Sequence, residues 1–391
     1  MQGLRLIATG LVFSAAALVV FELVLGLFLR DGRFLSWYVP PYDLVFTERQ
    51  AEQLRAPEKP YGRFDPELGW TIRDNGASDD GMYRANSAGF RANREYDLVP
   101  PDGVVRIASF GDSFTHGAEV ENEDTWQHQL ETTTEGVEVL NFGVDAYGVD
   151  QAYLRYRRDA VRYAPHIVLI GFLVENINRS VSVYRPAYYH QTSGVSAKPR
   201  FRVDDHGELE LVPLPVASRG DLLRRVESGE LIEVLRETDY WVQRAPLAYD
   251  RSPLFWSAIF RIAYGRYENA GRDLERHYAR GEGSEPFRVT RAVIEAFYEE
   301  ALGRGAERGL VVFFPLQGAL RGPLAGESDY WQSLVDALEA GGVPVLDVKP
   351  ALLRAAQDEP LEDLFSGYHY SGKGNAAVAG AIRERLFPSG P

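Results

Sequence analysis

The chain contains no cysteine, and this absence excludes several kinds of site. Without thiols a protein forms no disulfide, uses no thiolate nucleophile and holds no metal through sulfur. The absence of cysteine does not indicate a cellular compartment, because a fold without cysteine is stable under oxidising and reducing conditions alike. The seven histidines among the 391 residues show neither His-x-x-x-His nor Glu-x-x-His spacing. We therefore expect no metal site and no cofactor.

Lysine is also scarce, and the chain is acidic as a whole. Lysine stands only at positions 59, 198, 349 and 373, and the formal net charge is −14. Proteins that bind DNA or RNA need basic surfaces to neutralise phosphates. The composition therefore argues against a nucleic acid as partner.

The N-terminal segment is a long apolar run. Between Leu6 and Leu29 its one charged residue is Glu22, and this length suffices to cross a bilayer as a helix. A cleavable signal peptide is the alternative, but its apolar region would be shorter and would end in a small-residue cleavage site. We predict an uncleaved anchor over residues 1–30, in which Glu22 either pairs with a partner helix or is protonated. The flanking charges do not decide the orientation; they are Arg5, Arg30, Asp31 and Arg33.

The remaining chain divides by its local patterns. Residues 31–100 are rich in Pro, Tyr, Asp and Gly, and we expect a lead-in arm that packs on the next domain. Residues 101–180 and 286–391 alternate strand and helix patterns, which predicts an α/β domain with a mainly parallel sheet. Residues 181–285 lack this alternation, and we expect an insertion or lid there.

Five strands and several helices are expected in this order. The predicted strands cover 104–110, 137–142, 167–172, 310–314 and 343–346. The predicted helices of the α/β part cover 126–131, 149–163, 288–303, 328–340 and 376–386. In the insertion we expect a hairpin over 198–212 and amphipathic helices over 221–244 and 254–267. The many aromatic side chains of the insertion form either a sugar-binding groove or the core of a helical lid.

Ser113 is the candidate nucleophile. It lies in Gly111-Asp112-Ser113-Phe114-Thr115, with Gly117 after it, directly behind the first predicted strand. A serine in this place lies at the carboxyl end of a parallel strand, where open α/β sheets bind ligands. The N–H groups that begin the next helix can stabilise a developing negative charge.

This segment resembles the first block of the SGNH (GDSL) hydrolases, which are serine esterases and acyl-transfer enzymes. The resemblance extends over roughly 60–180 and 288–388. It implies a flavodoxin-like three-layer α/β sandwich with a five-stranded sheet, carrying here an N-terminal transmembrane helix and a helical and hairpin insertion. The stretch Asn86-Ser87-Ala88-Gly89-Phe90-Arg91 also resembles a lead-in of membrane-anchored members from cell-surface polysaccharide pathways.

His369 is the candidate base, because it stands before the last helix, as the base does in the family's last block. The resemblance places an orienting Asp three residues earlier, but the chain has Ser366 there. Asp363 is our tentative orienting acid. Asp347 and a Ser–His dyad held by a backbone carbonyl remain alternatives. Loss of an orienting carboxylate lowers turnover by about 10⁴-fold.

The resemblance also implies an oxyanion site. Its donors are the N–H groups of Ser113 and Gly143 and the side-chain amide of Asn176. The family's third block, usually Gly-x-Asn-Asp, corresponds here to residues 171–179. In a second alignment of this block Glu175 takes the donor position, and an ionised carboxylate cannot donate. His116 beside the nucleophile either contacts substrate or caps the following helix.

The resemblance implies serine-dependent ester hydrolysis or O-acyl transfer, with acetyl as the expected group, through an acyl-Ser113 intermediate. With the anchor, it implies an acylated cell-envelope or exported polysaccharide as substrate. It also implies a catalytic body outside the cell membrane and membrane proteins as further partners. The alternative is a glycan-binding or scaffold subunit of an export or modification complex that has lost catalytic activity. This alternative stays open because Ser366 replaces the expected Asp and the third block departs from the family pattern.

Overall fold

The computed structural model describes residues 2–29, 33–34, 37–38, 48–189, 192, 194–249, 252–321 and 329–388. Parts of three predicted regions lie outside the described residues: 1 and 30 of the anchor, 31–32, 35–36 and 39–47 of the arm, and 190–191, 193 and 250–251 of the insertion. Residue 328, where a predicted helix begins, and residues 389–391 lie outside them as well.

The N-terminal region consists of a long helix, a short helix and two small hairpins. Its elements are α1 (Gln2–Phe28), β1 (Arg33–Phe34), β2 (Trp37–Tyr38), α2 (Glu48–Arg55), β3 (Gly62–Asp65) and β4 (Gly69–Ile72). Within α1, the 22 residues Ile7–Phe28 are long and apolar enough to span a membrane.

The next segment contributes three strands to the central sheet. Its elements are β5 (Val105–Phe110), α3 (Ser113–His116), α4 (Trp126–Thr133), β6 (Val137–Asn141), α5 (Val149–Arg155), β7 (Ile167–Leu173) and α6 (Asn176–Arg179). The helix predicted over 149–163 is α-helical only to Arg155 and continues as a π-helical turn and a 3-10 turn.

The segment between β7 and the fourth strand of the sheet is mostly helical. Its elements are α7 (Arg185–Tyr188), β8 (Arg200–Val203), β9 (Leu209–Val212), α8 (Arg219–Ser228), α9 (Leu231–Thr238), α10 (Tyr240–Arg244), α11 (Pro246–Tyr249), α12 (Ala258–Gly271) and α13 (Leu274–Arg280). The single helix predicted over 221–244 was wrong. Gly229 ends α8 with a φ of 76°, and the Asp239 side chain caps α10 by accepting from two backbone N–H groups, so the chain turns twice.

The C-terminal segment completes the sheet. Its elements are α14 (Glu285–Gly303), β10 (Arg308–Phe314), α15 (Gln317–Leu320), α16 (Gln332–Ala340), β11 (Val345–Asp347), α17 (Lys349–Asp358), β12 (Phe365–Ser366), β13 (His369–Tyr370) and α18 (Gly372–Leu386).

The central sheet is parallel throughout, with the spatial order β11-β10-β7-β5-β6. Counted along the chain, this is the 2-1-3-4-5 order of flavodoxin-like folds. Helices cover both faces. Tyr153 of α5 and Phe297 of α14 belong to one buried cluster, whereas Leu130 of α4, Leu352 of α17 and Ile382 of α18 belong to another. The predicted three-layer α/β architecture is therefore confirmed.

Candidate active site

Ser113 is the first residue of α3 and follows the carboxyl end of β5. β5 lies between β6 and β7, where the strand order reverses, and open α/β sheets bind ligands in the crevice at such a point. Asp112 caps α3, because its Oδ1 accepts the N–H of Phe114 at 2.9 Å. The serine is 4% exposed. A short capped turn therefore holds this hydroxyl at the ligand-binding edge of the sheet.

The second carboxylate oxygen of Asp112 fastens this turn to α6. It accepts a hydrogen bond from Asn176 Nδ2 at 2.8 Å, and Arg179 Nη1 lies 3.9 Å away. Burial raises the pKa of Asp112, while the guanidinium and the hydrogen bonds from Phe114 and Asn176 oppose that rise. The segment before Ser113 is thus held by α3 on one side and by α6 on the other.

His369 begins the second strand of the β12–β13 hairpin, opposite Ser366. Its ring packs on Phe114, with the centroids 5.0 Å apart, so it lies beside the residue that follows Ser113. Within the residues that the structure describes, no hydrogen bond joins Ser113 Oγ to the imidazole. Such catalytic contacts are commonly long before substrate binds.

The carboxylate that reaches the imidazole belongs to Glu119. Its Oε2 lies 3.1 Å from His369 Nδ1. The same oxygen accepts the backbone N–H of Tyr368 at 2.8 Å and of His369 at 3.1 Å. These backbone bonds fix the acid beside Nδ1, and a carboxylate in this position holds a histidine in the tautomer whose Nε2 can accept a proton.

Glu119 has an unusual backbone conformation. Its φ is 67°, in the left-handed region that costs a residue with a Cβ about 1–2 kcal/mol. Its N–H donates to the Tyr83 hydroxyl at 2.8 Å. Strained residues persist only where the surroundings over-determine them, and they cluster at functional sites. The strain therefore marks this loop as a candidate functional element.

The contacts of Glu119 also keep it ionised. Partial burial by itself would raise the pKa of the carboxyl, but the hydrogen bonds from the His369 and Tyr368 backbone N–H groups and the nearby imidazole lower it overall. At neutral pH the group is an anion, as an acid that stabilises an imidazolium must be.

Gly367 makes room for this carboxylate. Its φ of 61° lies in the left-handed region, and a Cβ built on it would come within 2.7 Å of Glu119 Oε2. Both the hairpin turn and the approach of the acid therefore require glycine at this position.

The prediction that Asp363 orients His369 is corrected by these contacts. A 3-10 helix over Leu361–Leu364 carries Asp363, and its Oδ2 lies 3.6 Å from Lys373 Nζ with half of the side chain exposed. The residue thus faces the outer surface near α18 rather than the imidazole.

The alternative acid, Asp347, has other partners as well. Its Oδ2 accepts the indole N–H of Trp331 at 2.8 Å, and its Oδ1 accepts the backbone N–H of Lys349 at 2.8 Å. Asp347 therefore anchors the start of α17, whereas the Glu119 carboxylate lies beside the His369 imidazole.

The predicted oxyanion donors lie close to the nucleophile turn but have partners. Gly143 N–H donates to Asn141 Oδ1 at 2.9 Å, and a Cβ on Gly143 would come within 2.4 Å of His116 N. The close approach of α3 therefore explains why position 143 is glycine. The side-chain amide of Asn176 donates one N–H to Asp112, and the same nitrogen carries a second N–H. Glu175, the alternative at this position, accepts the Tyr368 hydroxyl at 3.0 Å. The oxyanion roles of Gly143 and Asn176 stay predictions.

The arm holds the loop that carries Glu119. The guanidinium of Arg91, the last residue of the lead-in Asn86–Arg91, donates to the carbonyls of His116 at 2.9 Å and of Gly117 and Val120 at 2.5 Å. Arg91 is 3% exposed, and burial lowers its pKa to about 10. The arginine is still cationic at neutral pH, and it fixes the segment 116–120.

A pocket of about 620 Å³ adjoins the acid and the base. Its walls include Glu119 and His369 together with three aromatic residues of the arm, which are Tyr61, Trp70 and Tyr83. Its volume is in the range of small-molecule sites. A larger depression of about 780 Å³, lined in part by Asp363 and Lys373, shares none of these residues.

His116 forms part of the pocket wall and neither caps a following helix nor is open to solvent. Its Nε2 and the Tyr61 hydroxyl are 2.7 Å apart. Burial and the nearby Arg91 guanidinium lower its pKa well below the usual value. The ring is therefore neutral at physiological pH, and a contact between His116 and substrate stays a prediction.

The aromatic residues of the predicted insertion are mostly internal. Tyr184, Tyr240, Trp241, Tyr249 and Phe255 are each at most 8% exposed. They form the core of a helical lobe, and the aromatic rings at the pocket come instead from the arm.

Sequence reasoning missed Glu119 and the role of Arg91. The Asp-x-x-His pattern directs attention to residues before the histidine, whereas Glu119 follows the nucleophile. One signal was available: Gly367, two residues before His369, indicates a tight turn next to a close contact.

No protein-family model matches the chain, and no curated protein matches its sequence. Similar solved structures include a lipolytic protein of the G-D-S-L family from Veillonella parvula, 12% identical, with 73% of this chain and 98% of that chain covered and a TM-score of 0.35. Another is an acetylxylan esterase from Geobacillus stearothermophilus, 11% identical, with coverage of 72% and 94% and a TM-score of 0.36. At such values the functional conclusion depends on the contacts of Ser113, Glu119 and His369 in this chain.

Proposed function

We propose that the protein is a serine esterase or O-acyltransferase in which Ser113 is the nucleophile, His369 the base and Glu119 the orienting acid. One observation carries the proposal: Glu119 Oε2 lies 3.1 Å from His369 Nδ1, on a strained loop that directly follows the nucleophile turn. A surface ion pair would need neither the left-handed backbone of Glu119 nor a glycine cleared for its carboxylate.

The reaction then follows from the three roles. His369 Nε2 takes the proton of Ser113 Oγ while Oγ forms a bond to the ester carbonyl carbon. Collapse of the tetrahedral intermediate breaks the bond to the alcohol oxygen, which receives the proton from His369. Water or an acceptor hydroxyl then attacks acyl-Ser113 and loses its proton to His369. Collapse of this second tetrahedral intermediate breaks the bond from the acyl carbon to Ser113 Oγ, which takes the proton back from His369. Glu119 stabilises the imidazolium in both halves without taking the proton.

The oxyanion is stabilised by donors around the start of α3. The Ser113 N–H is the first of the helix, and the second N–H of Asn176 is available beside it. A contribution from Gly143 N–H requires that its hydrogen bond to Asn141 be replaced. Removal of one such donor typically costs about 10²–10³ in turnover.

The substrate that we propose is an O-acylated, most simply O-acetylated, polysaccharide of the cell envelope or an exported one. The pocket supports this class, because three aromatic faces and several polar groups border the acid and the base. Sugars stack on aromatic rings while their hydroxyls meet polar side chains. A membrane-anchored body outside the cytoplasm, with partner membrane proteins, completes the proposal, and the apolar α1 supports the anchor.

A fluorophosphonate probe tests the proposed chemistry, because it reacts only with an activated serine. We expect labelling of the full-length protein at Ser113, and its loss in Ser113→Ala and His369→Ala. Thr115→Ser is a matched control that leaves the nucleophile intact. Folded protein that does not label would contradict the enzyme and favour the glycan-binding or scaffold alternative.

Hydrolysis and transfer are separated by a second assay. Acetylated xylo-oligosaccharide is offered with and without an unacetylated acceptor sugar, and acetate and acetylated acceptor are both measured. Acetate alone identifies a hydrolase, and acetylated acceptor identifies a transferase. Labelling without turnover of either kind would contradict the proposed substrate class.

A further inference from the structure

Glu22 of the apolar helix α1 contacts the folded body through its carboxylate. Its Oε1 accepts the Ser257 hydroxyl at 2.5 Å, and its Oε2 accepts the N–H groups of Ala258 at 2.6 Å and Ile259 at 3.4 Å. Glu22 therefore caps the N-terminus of α12. From the sequence we expected a partner helix or a protonated carboxyl for this residue, whereas in the structure its carboxylate caps a helix of the folded body.

The remaining N–H groups of that helix end are also satisfied. Phe260 N–H donates to Ser257 Oγ at 3.1 Å, and the N–H of Ser257, the N-cap, donates to the Leu254 carbonyl at 3.1 Å. All four N-terminal N–H groups of α12 thus have partners. In water such groups can bond to solvent, but inside a bilayer each must be satisfied by the protein.

Apolar contacts extend the same interface. Leu29 is 1% exposed and Ala258 is 3% exposed, and they pack together with Leu25 and Ile262 around them. In the apolar segment, the less exposed positions 22, 25 and 26, with 29 after them, share one face of α1. α1 is therefore docked along one stripe, and between Ile7 and Phe28 its other faces are exposed.

The position of this contact along α1 determines where α12 would lie if the apolar segment spans a bilayer. The 22-residue apolar segment ends at Phe28, and at 1.5 Å per residue it is about 33 Å long, close to the thickness of a hydrocarbon core. Glu22 precedes Phe28 by six residues, or about 9 Å. In a bilayer spanned by this segment, the start of α12 would be level with lipid rather than with the aqueous phase.

The side chains around this level are apolar and exposed. Leu254 is 51%, Trp256 75% and Ile259 38% exposed, and we call these three residues the lipid patch. Ile259 is itself one of the two residues whose N–H groups Glu22 accepts, and Leu254 and Trp256 precede them by a few residues. Tryptophan and large aliphatic residues are the types that enter the interface of a bilayer.

We infer that the lipid patch is a second membrane contact, inserted into the same bilayer leaflet as the end of α1 and fixed there by Glu22. The predicted insertion then serves to hold the body against the membrane. This inference also means that α1 stays in the mature protein, because its removal would expose Ala258 and leave two N–H groups of α12 without their acceptor. It does not depend on the proposed enzymatic reaction.

The absence of cysteine allows a direct test with single labels. The full-length Ile259→Cys variant carries an environment-sensitive NBD label and is reconstituted in phosphatidylcholine–phosphatidylglycerol vesicles that contain lipids spin-labelled on the acyl chain. We expect blue-shifted emission and quenching at least fivefold stronger than for Val99→Cys, whose site in the arm is 75% exposed. Equal quenching at both sites would overturn the inference.

The docking by Glu22 is tested by cross-linking in the same vesicles. We expect Leu29→Cys/Ala258→Cys to form a disulfide on mild oxidation, whereas the pair Leu11→Cys/Ala258→Cys does not. Glu22→Leu, which keeps the span apolar, should lower the yield at least threefold, and Glu22→Gln, which keeps an acceptor oxygen, should lower it less. An unchanged yield in Glu22→Leu, or a mature protein whose mass lacks α1, would overturn the inference.

Discussion

The loop after Ser113 and the loop before His369 each offer a carboxylate, and only the first reaches the imidazole. Glu119 lies 3.1 Å from His369 Nδ1 on a loop that Arg91 and Tyr83 hold in place. Asp363 is closer in the chain to the histidine but faces Lys373 at the surface. The comparison teaches that the anchoring of a loop, and not its distance along the chain, decides which acid can orient the base.

Substitution of each of the two acids in turn should give the largest effect on turnover and tests whether Glu119 alone, and not Asp363, orients His369. Glu119→Gln should lower kcat roughly 10³–10⁴-fold, because an amide no longer stabilises the imidazolium. Asp363→Asn should change it by less than about twofold, because an exposed ion pair contributes little. Steady-state hydrolysis of p-nitrophenyl acetate measures both, and melting temperatures check the folds. Equal losses in the two variants would contradict the account.

Loss of Arg91 should be next in size and should act mainly through stability. Arg91→Met removes the donors to three buried carbonyls, and we expect a loss of about 3–5 kcal/mol in the free energy of unfolding. Urea denaturation measures it. The control is Arg94→Met, whose side chain is 47% exposed and should cost under about 1 kcal/mol. If Arg91→Met is as stable as the control, the arm does not hold the Glu119 loop.

Gly367→Ala should lower turnover by an intermediate amount, and it tests whether the Glu119 carboxylate needs the space that this glycine leaves. The methyl group would meet the Glu119 carboxylate and occupy a left-handed backbone, and we expect kcat to fall roughly 10–100-fold with about 1–2 kcal/mol of destabilisation. Gly380→Ala in α18, where a Cβ meets nothing within 4 Å, is the control. Full activity in Gly367→Ala would show that the acid does not need this approach.

The pH dependence should give the smallest effect. The pKa of Glu119 in the folded protein is lower than its ordinary value of 4.5. Its stabilising contribution is therefore complete above 4.5 and is lost as the pH falls through the lower folded value. The difference in melting temperature between wild type and Glu119→Gln should be constant near neutral pH and shrink in acid. A difference that grows in acid would contradict the assigned direction.

Much of the fold was predictable because its signals are local. The apolar strands and the glycine-bearing turn after β5 have clear patterns, so the five parallel strands and the position of Ser113 were found. The break at Asp239 was missed, because an Asp that caps α10 has the same hydrophilic pattern as an Asp on the outer face of a longer helix.

The acid of the site was not predictable by the same means. Glu119 acts through contacts with Tyr368 and His369, which lie about 250 residues further along the chain. Neither the periodicity of apolar residues nor a motif spacing in the sequence indicates a contact between residues so far apart in the chain. Its left-handed backbone is likewise invisible in a sequence that has glutamate, and not glycine, at that position.

The tautomer of His369 tests the central claim most directly. Histidine labelled with ¹⁵N is observed by NMR at a pH where its ring is neutral, and the His369 signals are assigned by their loss in His369→Asn. The account predicts a proton on Nδ1, with a downfield resonance that is kept in Asp363→Asn and lost in Glu119→Gln. A proton on Nε2 in the wild type, or a resonance unchanged in Glu119→Gln, would contradict it.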